Sequence, residues 1–399
     1  MEPDPRFPDC GDRPAIAIVS NSQTPYRLAL HRRIARELPE VCLWSLYTHE
    51  TSNSSWKFDA PAEIRPVQFG QGESSEHQDR LAGAWREWRR GGRVIRWITR
   101  HDIRFVVAMG YNDLGRVRLI RWCRRHGVPC FLFGDSNIHG DATGLKAVIK
   151  RPIVRWIVRS CAGVLPCGTL GRAYFLKYGA RPDRIFYFPY EPDYALIEQI
   201  TPAEIDAAVE KFRLPPGRRI VYSGRLVAHK RVDLLVDAFT EIASRRPDWN
   251  LVIVGGGGHS AELQARVPTA LAGRVTWVGF VDDQAAIAAV CRSADVLVLP
   301  SDFEPWALVV NEAVAAGMAV VCSSVVGAAA ELVRDGVNGR LFPAGDGAAL
   351  SAALWDVTDP ARIDAMKAAS PAVLADWRRR GDPVDGLRGA LRSTGVLGS

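Results

Sequence analysis

The stretch SDFEPWALVVNEAVAAG, residues 301–317, sets two carboxylates, Glu304 and Glu312, in an otherwise apolar run. A glutamate inside a packed segment loses its hydration and needs a partner. What these two hold is the first chemical question. DVLVLPS reads as a strand and NEAVAAG as a helix, so DFEPWA is the strand-to-helix turn, with Pro305 suited to the first helical position, where no N–H is needed. The amides of Ala307, Leu308 and Val309 are then free donors at the positive end of a helix, a place for phosphate. Glu304 stands in that turn, and Glu312, two turns along, points back toward it. A carboxylate there suits paired sugar hydroxyls, as ribose-binding acids do elsewhere. The pair reads as clamps on either side of a diphosphate. The plain alternative is a solvated helix-face Glu312 and a Glu304 favoured only by the helix dipole.

A second turn bears on that choice. In SGRLVAHKRVDLLVDAF, residues 223–239, a strand ends at Ser223, and Gly224, Arg225 and Lys230 lie in the turn before an amphipathic helix. Two cations there can neutralise a diphosphate and the charge that develops as it leaves. An arginine and a lysine alone would say little; next to the carboxylate turn they complete a set.

Together these residues resemble a known family. ADVLVLPSDFEPWALVVNEAVAAGMAVVCSSVVGAAAELVRDGVNGRLFPAGD resembles the signature of retaining nucleotide-sugar glycosyltransferases of family 4, which have the GT-B fold, and GRLVAHKRVDLLVDAF is similar to that family's phosphate-contacting turn. The resemblance spans most of residues 215–350; NSQTPYRLALHRRIA, residues 21–35, resembles the amino-terminal turn of one branch. It implies Arg225 and Lys230 on the donor diphosphate, Glu312 on the ribose and Glu304 at the transferred sugar. The backbone of Gly224, Ala307, Leu308 and Val309 would line the donor. It implies no metal and no bound cofactor, the nucleotide sugar being a substrate, with UDP or GDP as the expected carrier. Retention implies attack from the face the nucleotide leaves, so the departing diphosphate can itself accept the acceptor's proton. No Ser-His-Asp or Cys-His set is evident, in keeping with that. Two departures stand out. Many relatives have glycines where this chain has Pro305 and Ala307, and many have a first-domain histidine where this chain has Tyr111, Asn112 and Asp113 after the strand FVVAMG. His139, in GDSNIHGD, is a candidate substitute, as is Asp135; a lone loop histidine is more often structural. Asn21, Tyr26 and Arg27, after the first strand, are candidates for acceptor or diphosphate contact, or simply start and pack the helix that follows.

The elements needed to hold such loops are present in both halves. AIAIVS, VCLWSLY, FVVAMG, PCFLFG and AGVLPCG read as strands in the first half. RIVYSGRL, LVIVGGGG, RVTWVGF, DVLVLPS, AVVCSS and NGRLFPA do so in the second, with helical patterns between them. At 399 residues two domains are expected. The fold class expected is α/β, two tandem Rossmann-like doubly wound domains facing across a cleft. Residues 1–195 are the acceptor-binding domain, 196–375 the nucleotide-sugar domain, and 376–399 a final helix that packs back on the first. The uncharged run 313–330 is divided by Gly317, Ser323, Ser324 and Gly327 and reads as core, not as a membrane span. The acidic, proline-rich start carries no secretory pattern. Eight cysteines without a CxxC pair suggest free thiols in a cytoplasmic protein, and no histidine pattern suggests a metal.

Charge is asymmetric. Residues 1–195 hold 30 Lys+Arg against 20 Asp+Glu and the remainder 21 against 24; residues 80–125 carry 13 arginines against three acids. WREWRRGGRVIRWITRHDIRF, 85–105, places Trp85, Trp88, Ile95 and Ile98 at helical spacing among arginines, interrupted by Gly91-Gly92. It reads as an interfacial helix on an anionic membrane, suited to a lipid-linked acceptor and to a place on the inner face, or as a helix packed into its own domain. No nucleic-acid module accompanies the charge, so nucleic acid is set aside. Cell-surface polysaccharide or glycolipid assembly is what the family and the basic half together suggest. The rivals are an NAD-dependent oxidoreductase and a GT-B binding protein without turnover. The first rests on Gly256, Gly258 and Ala261 at GxGxxA spacing, with Asp282 and Asp283 beyond. A phosphorylase would need a cofactor-bearing lysine, and none is identified.

Overall fold

The computed structural model describes Phe7 and residues 10–50, 60–75 and 83–398. Most of the acidic start lies outside the described residues. The chain divides into one unit of residues 1–190 and 381–399 and a second of residues 191–380.

Unit 1 is a six-stranded parallel sheet in the order β3-β2-β1-β4-β5-β6. Its strands are β1 (Ala15–Ser20), β2 (Cys42–Tyr47), β3 (Pro66–Gln68), β4 (Phe105–Met109), β5 (Cys130–Gly134) and β6 (Gly163–Pro166). Except in short β3, every strand residue is buried, which is why these segments read as unbroken apolar runs. The helices are α1 (Pro25–Glu37), α2 (Ala84–Arg100), α3 (Leu114–His126), α4 (Gly144–Ser160) and α5 (Thr169–Lys177). Val94 and Ile98 of α2, Leu119 and Ile120 of α3, and Val154, Ile157 and Val158 of α4 share one core cluster with Ala17, Trp44, Val106 and Leu132. These three helices thus form one layer on one face of the sheet. Each leads into the next strand, so its amino-terminal end lies at the sheet's carboxyl edge, as right-handed crossovers require.

Three expectations change here. Gly91-Gly92 does not interrupt α2, which is continuous from Ala84 to Arg100. The glycines let α3 approach: a Cβ on Gly91 would stand 2.6 Å from the Gly115 carbonyl oxygen. Nor do Trp85, Trp88, Ile95 and Ile98 share one face, since Ile98 is buried while Trp85 is 68% exposed. The cysteines are not all free thiols either. Cys10 and Cys42 form a disulfide, brought together where the chain before β1 runs beside the start of β2, with the Cys42 N–H donating to the Pro14 carbonyl. Six cysteines remain free.

Unit 2 repeats the plan with β7 (Arg218–Ser223), β8 (Trp249–Val254), β9 (Val275–Gly279), β10 (Val296–Leu299), β11 (Ala319–Ser323) and β12 (Gly339–Phe342), ordered β12-β11-β10-β7-β8-β9. Its helices are α6 (Tyr194–Gln199), α7 (Pro202–Lys211), α8 (Val232–Ala243), α9 (Ser260–Arg266), α10 (Gln284–Arg292), α11 (Leu308–Ala315), α12 (Ala329–Leu332), α13 (Gly347–Val357) and α14 (Ile363–Gly381). The last helix, α15 (Pro383–Ser393), belongs to unit 1: Arg33 pairs with Asp382 at its amino terminus and Arg388 donates to the Glu37 carbonyl. Among the described residues no helix is long and apolar enough to cross a membrane.

Candidate functional site

In unit 2 the strand order reverses between β7 and β10, and loops leaving the carboxyl ends of strands at such a reversal form binding crevices. The β7 turn carries Gly224, Arg225 and Lys230; the β10 turn carries Glu304. The two are tied together. Lys230 pairs with Glu304, the Asp302 N–H donates to the His229 carbonyl at 2.9 Å, and Arg231 reaches Asp302 at 3.2 Å. Glu304 is buried and also accepts from Ser301 Oγ at 2.9 Å. A buried carboxylate with a cation and a hydroxyl is held in one geometry, and its ionised form is compensated.

The β10 turn differs from the sequence expectation in one respect. The helix α11 starts at Leu308, with Ala307 as its N-cap, so Pro305 lies in the turn rather than at the first helical position. Ala307 has φ +76°, a left-handed conformation that costs a residue with a Cβ roughly 1–2 kcal/mol. Tertiary contacts fix it there. The Gly327 N–H donates to the Glu304 carbonyl at 3.2 Å and the Ala328 N–H to the Trp306 carbonyl at 2.8 Å. A Cβ on Gly327 would stand 2.1 Å from the Pro305 carbonyl oxygen, so only glycine lets the two segments meet. Ala307 has no side-chain oxygen to cap α11, which leaves the Leu308 and Val309 amides directed at the turn.

Glu312 takes no part in the Lys230–Glu304 pair. It sits partly exposed on α11, near Cys291 of α10, whose thiol is pushed up first by burial and then by the Glu312 charge. Burial of the carboxyl raises its own pKa to about 7, and no hydrogen bond to it is found among the described residues.

The glycine run after β8 serves this site too. A Cβ on Gly255 would lie 1.9 Å from the Gly224 carbonyl oxygen, and one on Gly257 2.2 Å from that of Leu226. By contrast, one on Gly258 would meet nothing within 4 Å, and one on Gly256 only Phe280 at 3.9 Å. The glycines of the GxGxxA spacing are therefore not the constrained ones; the constrained ones let the run pass against the Arg225 turn. Tyr222, unremarked in the sequence, props that turn. Its buried hydroxyl donates to the Arg225 carbonyl at 2.8 Å, leaving the Arg225 side chain exposed. Burial and the nearby Glu304 hold this phenol neutral.

In unit 1 the candidates separate. The Arg27 guanidinium lies over the Tyr26 ring, Tyr26 packs edge-on against Tyr190 at 5.0 Å, and burial, with Asp135 nearby, raises the Tyr190 phenol and the Cys167 thiol. The Asp135 carboxyl is itself raised, by burial. The turn beside this cluster leaves Ser22 Oγ, Gln23 Oε1, Thr24 Oγ1 and Arg27 Nε buried without a hydrogen-bond partner among the described residues. His139 stands apart, exposed in a short turn that Asn137 caps. Asn21 is occupied: it accepts from Arg116, which pairs with Asp113. Two arginines of the basic stretch, Arg116 and Arg90, do not face outward. Both are buried, Arg90 among Glu87, Glu73 and His49. The signal was available in the i,i+3 spacing of Glu87 with Arg90 and Asp113 with Arg116.

Comparison with known proteins fits this geometry. Residues 217–359 match the family model described as Glycosyl transferases group 1. A phosphatidyl-myo-inositol mannosyltransferase of Mycolicibacterium smegmatis is 36% identical over 151 residues, covering 37% of this chain and 38% of the relative. A D-inositol 3-phosphate glycosyltransferase of Rhodococcus opacus is 33% identical over 207 residues, 49% of this chain and 45% of the relative. The chain thus spans less than half the length of these curated relatives. Over nearly its whole length it shares a fold with Anabaena Alr3699/HepE, solved with UDP and glucose (TM-score 0.71, 18% identity, 96% of this chain and 100% of that one). The sucrose-phosphate synthase of Thermosynechococcus elongatus is similar again (TM-score 0.73, 18% identity, 95% and 99%). The fold is GT-B.

Proposed function

We propose, for a chain whose residues 217–359 belong to group 1 of the glycosyl transferases, that it moves a sugar from a nucleoside diphosphate sugar to a saccharide or lipid-linked saccharide with retention of configuration. The observation that carries this reading is the Lys230–Glu304 pair held at the strand reversal beside uncapped amides. An ammonium has three donors and Glu304 engages one, so Lys230 can also donate to a diphosphate. Arg225, propped by Tyr222 yet exposed, adds a second cation. The Leu308 and Val309 amides complete a cradle in which charge developing on the leaving diphosphate is stabilised. Glu304, oriented by Lys230 and Ser301, faces the transferred sugar. Glu312 accepts the ribose hydroxyls, whose two donors satisfy the acceptor the fold leaves open. The diphosphate takes the acceptor's proton, and no protein nucleophile or metal is required.

In unit 1 the unpartnered polar atoms of residues 22–27, with Tyr26 and Asp135, support contact with a hydroxyl-rich acceptor. UDP or GDP is the expected carrier; the UDP and glucose in the Anabaena structure favour testing UDP first. Work at the cytoplasmic face of a membrane, in polysaccharide or glycolipid assembly, agrees with this chemistry and with the basic first half.

The test is thermal unfolding with UDP, GDP, ADP, dTDP and NAD, for the wild type and Arg225→Ala. A ligand at 100 times its dissociation constant stabilises by about 2.7 kcal/mol. A shift with one nucleoside diphosphate, reduced in the variant, supports the reading. A shift with NAD alone overturns it, and binding without transfer to any acceptor would make the protein a nucleotide-binding relative.

A further inference from the structure

The membrane-facing character expected of residues 85–105 is stronger elsewhere in unit 1. Among the described residues, eight of the eleven exposed large hydrophobics lie on the helix layer of α2, α3 and α4, and five of these are on α4 alone. Leu145, Val148, Ile149, Ile153 and Trp156 are 77%, 67%, 62%, 55% and 40% exposed. At about 100° per residue they occupy roughly 140° of the helix circumference. That stripe is directly opposite Val154, Ile157 and Val158, which pack into the core. Lys146 flanks it on one side and Arg151 and Arg155 on the other, all exposed. A helix with one apolar face packed and a second left in water is unusual for a soluble surface, and cations on both flanks complement an anionic plane.

The neighbouring helices extend the same surface. The amino-terminal ends of all three lie at the sheet's carboxyl edge and expose Trp85 and Trp88 on α2 and Leu114 on α3. Between α2 and α3 a groove of about 560 Å³ is lined by Arg86, Arg89, Arg93, Arg96, Arg118 and Glu73. Aliphatic side chains have nothing to bind in a phosphodiester backbone, whereas they gain by entering an acyl boundary.

We infer that the outer face of α4, with the arginine groove of α2 and α3 beside it, docks on an anionic lipid bilayer, the apolar stripe entering the acyl boundary and the arginines holding lipid phosphates. It does not rest on the transferase reading, because it concerns a surface outside that site.

The experiment is vesicle flotation of the full chain without substrate. One set of vesicles is phosphatidylcholine alone, the other equal parts phosphatidylcholine and phosphatidylglycerol. The wild type is expected to float with the anionic vesicles and to be released by salt, since screening weakens the arginine contacts. Val148→Ser with Ile149→Ser, both on exposed positions, should keep the wild-type Tm yet lower partitioning at least about tenfold. Arg151→Glu with Arg155→Glu should remove the preference for phosphatidylglycerol. Flotation of the serine variant equal to wild type would overturn the proposal. So would failure of the wild type to float at all. A concentration-dependent dimer that the serine variant dissolves, without lipid binding, would instead make the stripe a contact between copies of this chain.

Discussion

Glu312 offers a test that needs no substrate. Burial raises its carboxyl from 4.5 to about 7, while the unfolded chain holds an ordinary one. Between these values the native state keeps a proton that the unfolded state has lost, so stability falls as pH rises through that window. Below about 4.5 the group costs nothing, and above about 7 the cost is complete. At about 1.4 kcal/mol per pH unit the full cost is roughly 3 kcal/mol, or roughly 6–12 °C in Tm for a unit of this size. Glu312→Gln keeps the shape and cannot ionise. Thermal unfolding of the ligand-free proteins should therefore give matching curves at pH 4 and a clearly more stable variant at pH 8. Nucleoside diphosphate binding should move the other way. The variant loses hydrogen bonds from ribose to a charged acceptor and should bind about 1.5–3 kcal/mol more weakly. Wild-type binding near pH 7 should also release protons, detectable by titration calorimetry in buffers of different ionisation enthalpy. Parallel pH profiles would show a carboxyl that is already solvated, and a less stable variant at pH 8 would show one with a structural partner. Either result would refute the argument that Glu312 is held in reserve for a ligand.

Lys230→Met leaves the Glu304 carboxylate buried without its cation and should cost about 3–5 kcal/mol in urea unfolding. Adding Glu304→Gln should recover stability but not sugar transfer, measured in single turnover. Ala307→Gly removes the left-handed strain, worth roughly 1–2 kcal/mol, against roughly 0.4–1 kcal/mol of added unfolded-state entropy. The net should be a small rise in Tm, whereas a fall would show that the methyl group packs. Gly327→Ala drives a Cβ against the Pro305 carbonyl and should cost about 1–3 kcal/mol while weakening nucleoside diphosphate binding. Reduction of Cys10–Cys42, which closes a separation of 32 residues, should lower the stability of unit 1 by roughly 3–4 kcal/mol and leave unit 2 unchanged in calorimetry.

How much of this was legible in the sequence follows from where each constraint originates. Strands buried on both faces, such as AIAIVS and DVLVLPS, declare themselves because burial alone dictates their composition. β3 did not, being three half-buried residues that start with a proline. Glu304 was legible as a charge in an apolar run that demands a partner; that its partner is Lys230 was not, because Arg225 and Lys230 both stand in the neighbouring turn and both read as diphosphate contacts. Nor was the backbone of the Glu304 turn. Whether the helix begins at Pro305 or only at Leu308 depends on Gly327 passing under the Pro305 carbonyl, a contact made by a residue further along the chain. The glycine run shows the same limit: spacing singled out Gly256 and Gly258, whereas Gly255 and Gly257 are the ones pressed against Gly224 and Leu226. In α4, apolar residues recur on two opposite faces, and periodicity cannot say which of them meets the sheet.

Ala307 joins these threads. An alanine at φ +76° persists only if the surroundings over-determine the turn. Here the surroundings are the bonds from Gly327 and Ala328 to Glu304 and Trp306, the ion pair from Lys230 and the hydroxyl of Ser301. The backbone bonds that hold Ala307 in that conformation and the side-chain contacts that fix the Glu304 carboxylate converge on the same short turn. Loosening the Gly327 and Ala328 bonds should therefore relax the backbone at Ala307 and misplace the carboxylate together, so that relief of strain at this turn is accompanied by loss of transfer.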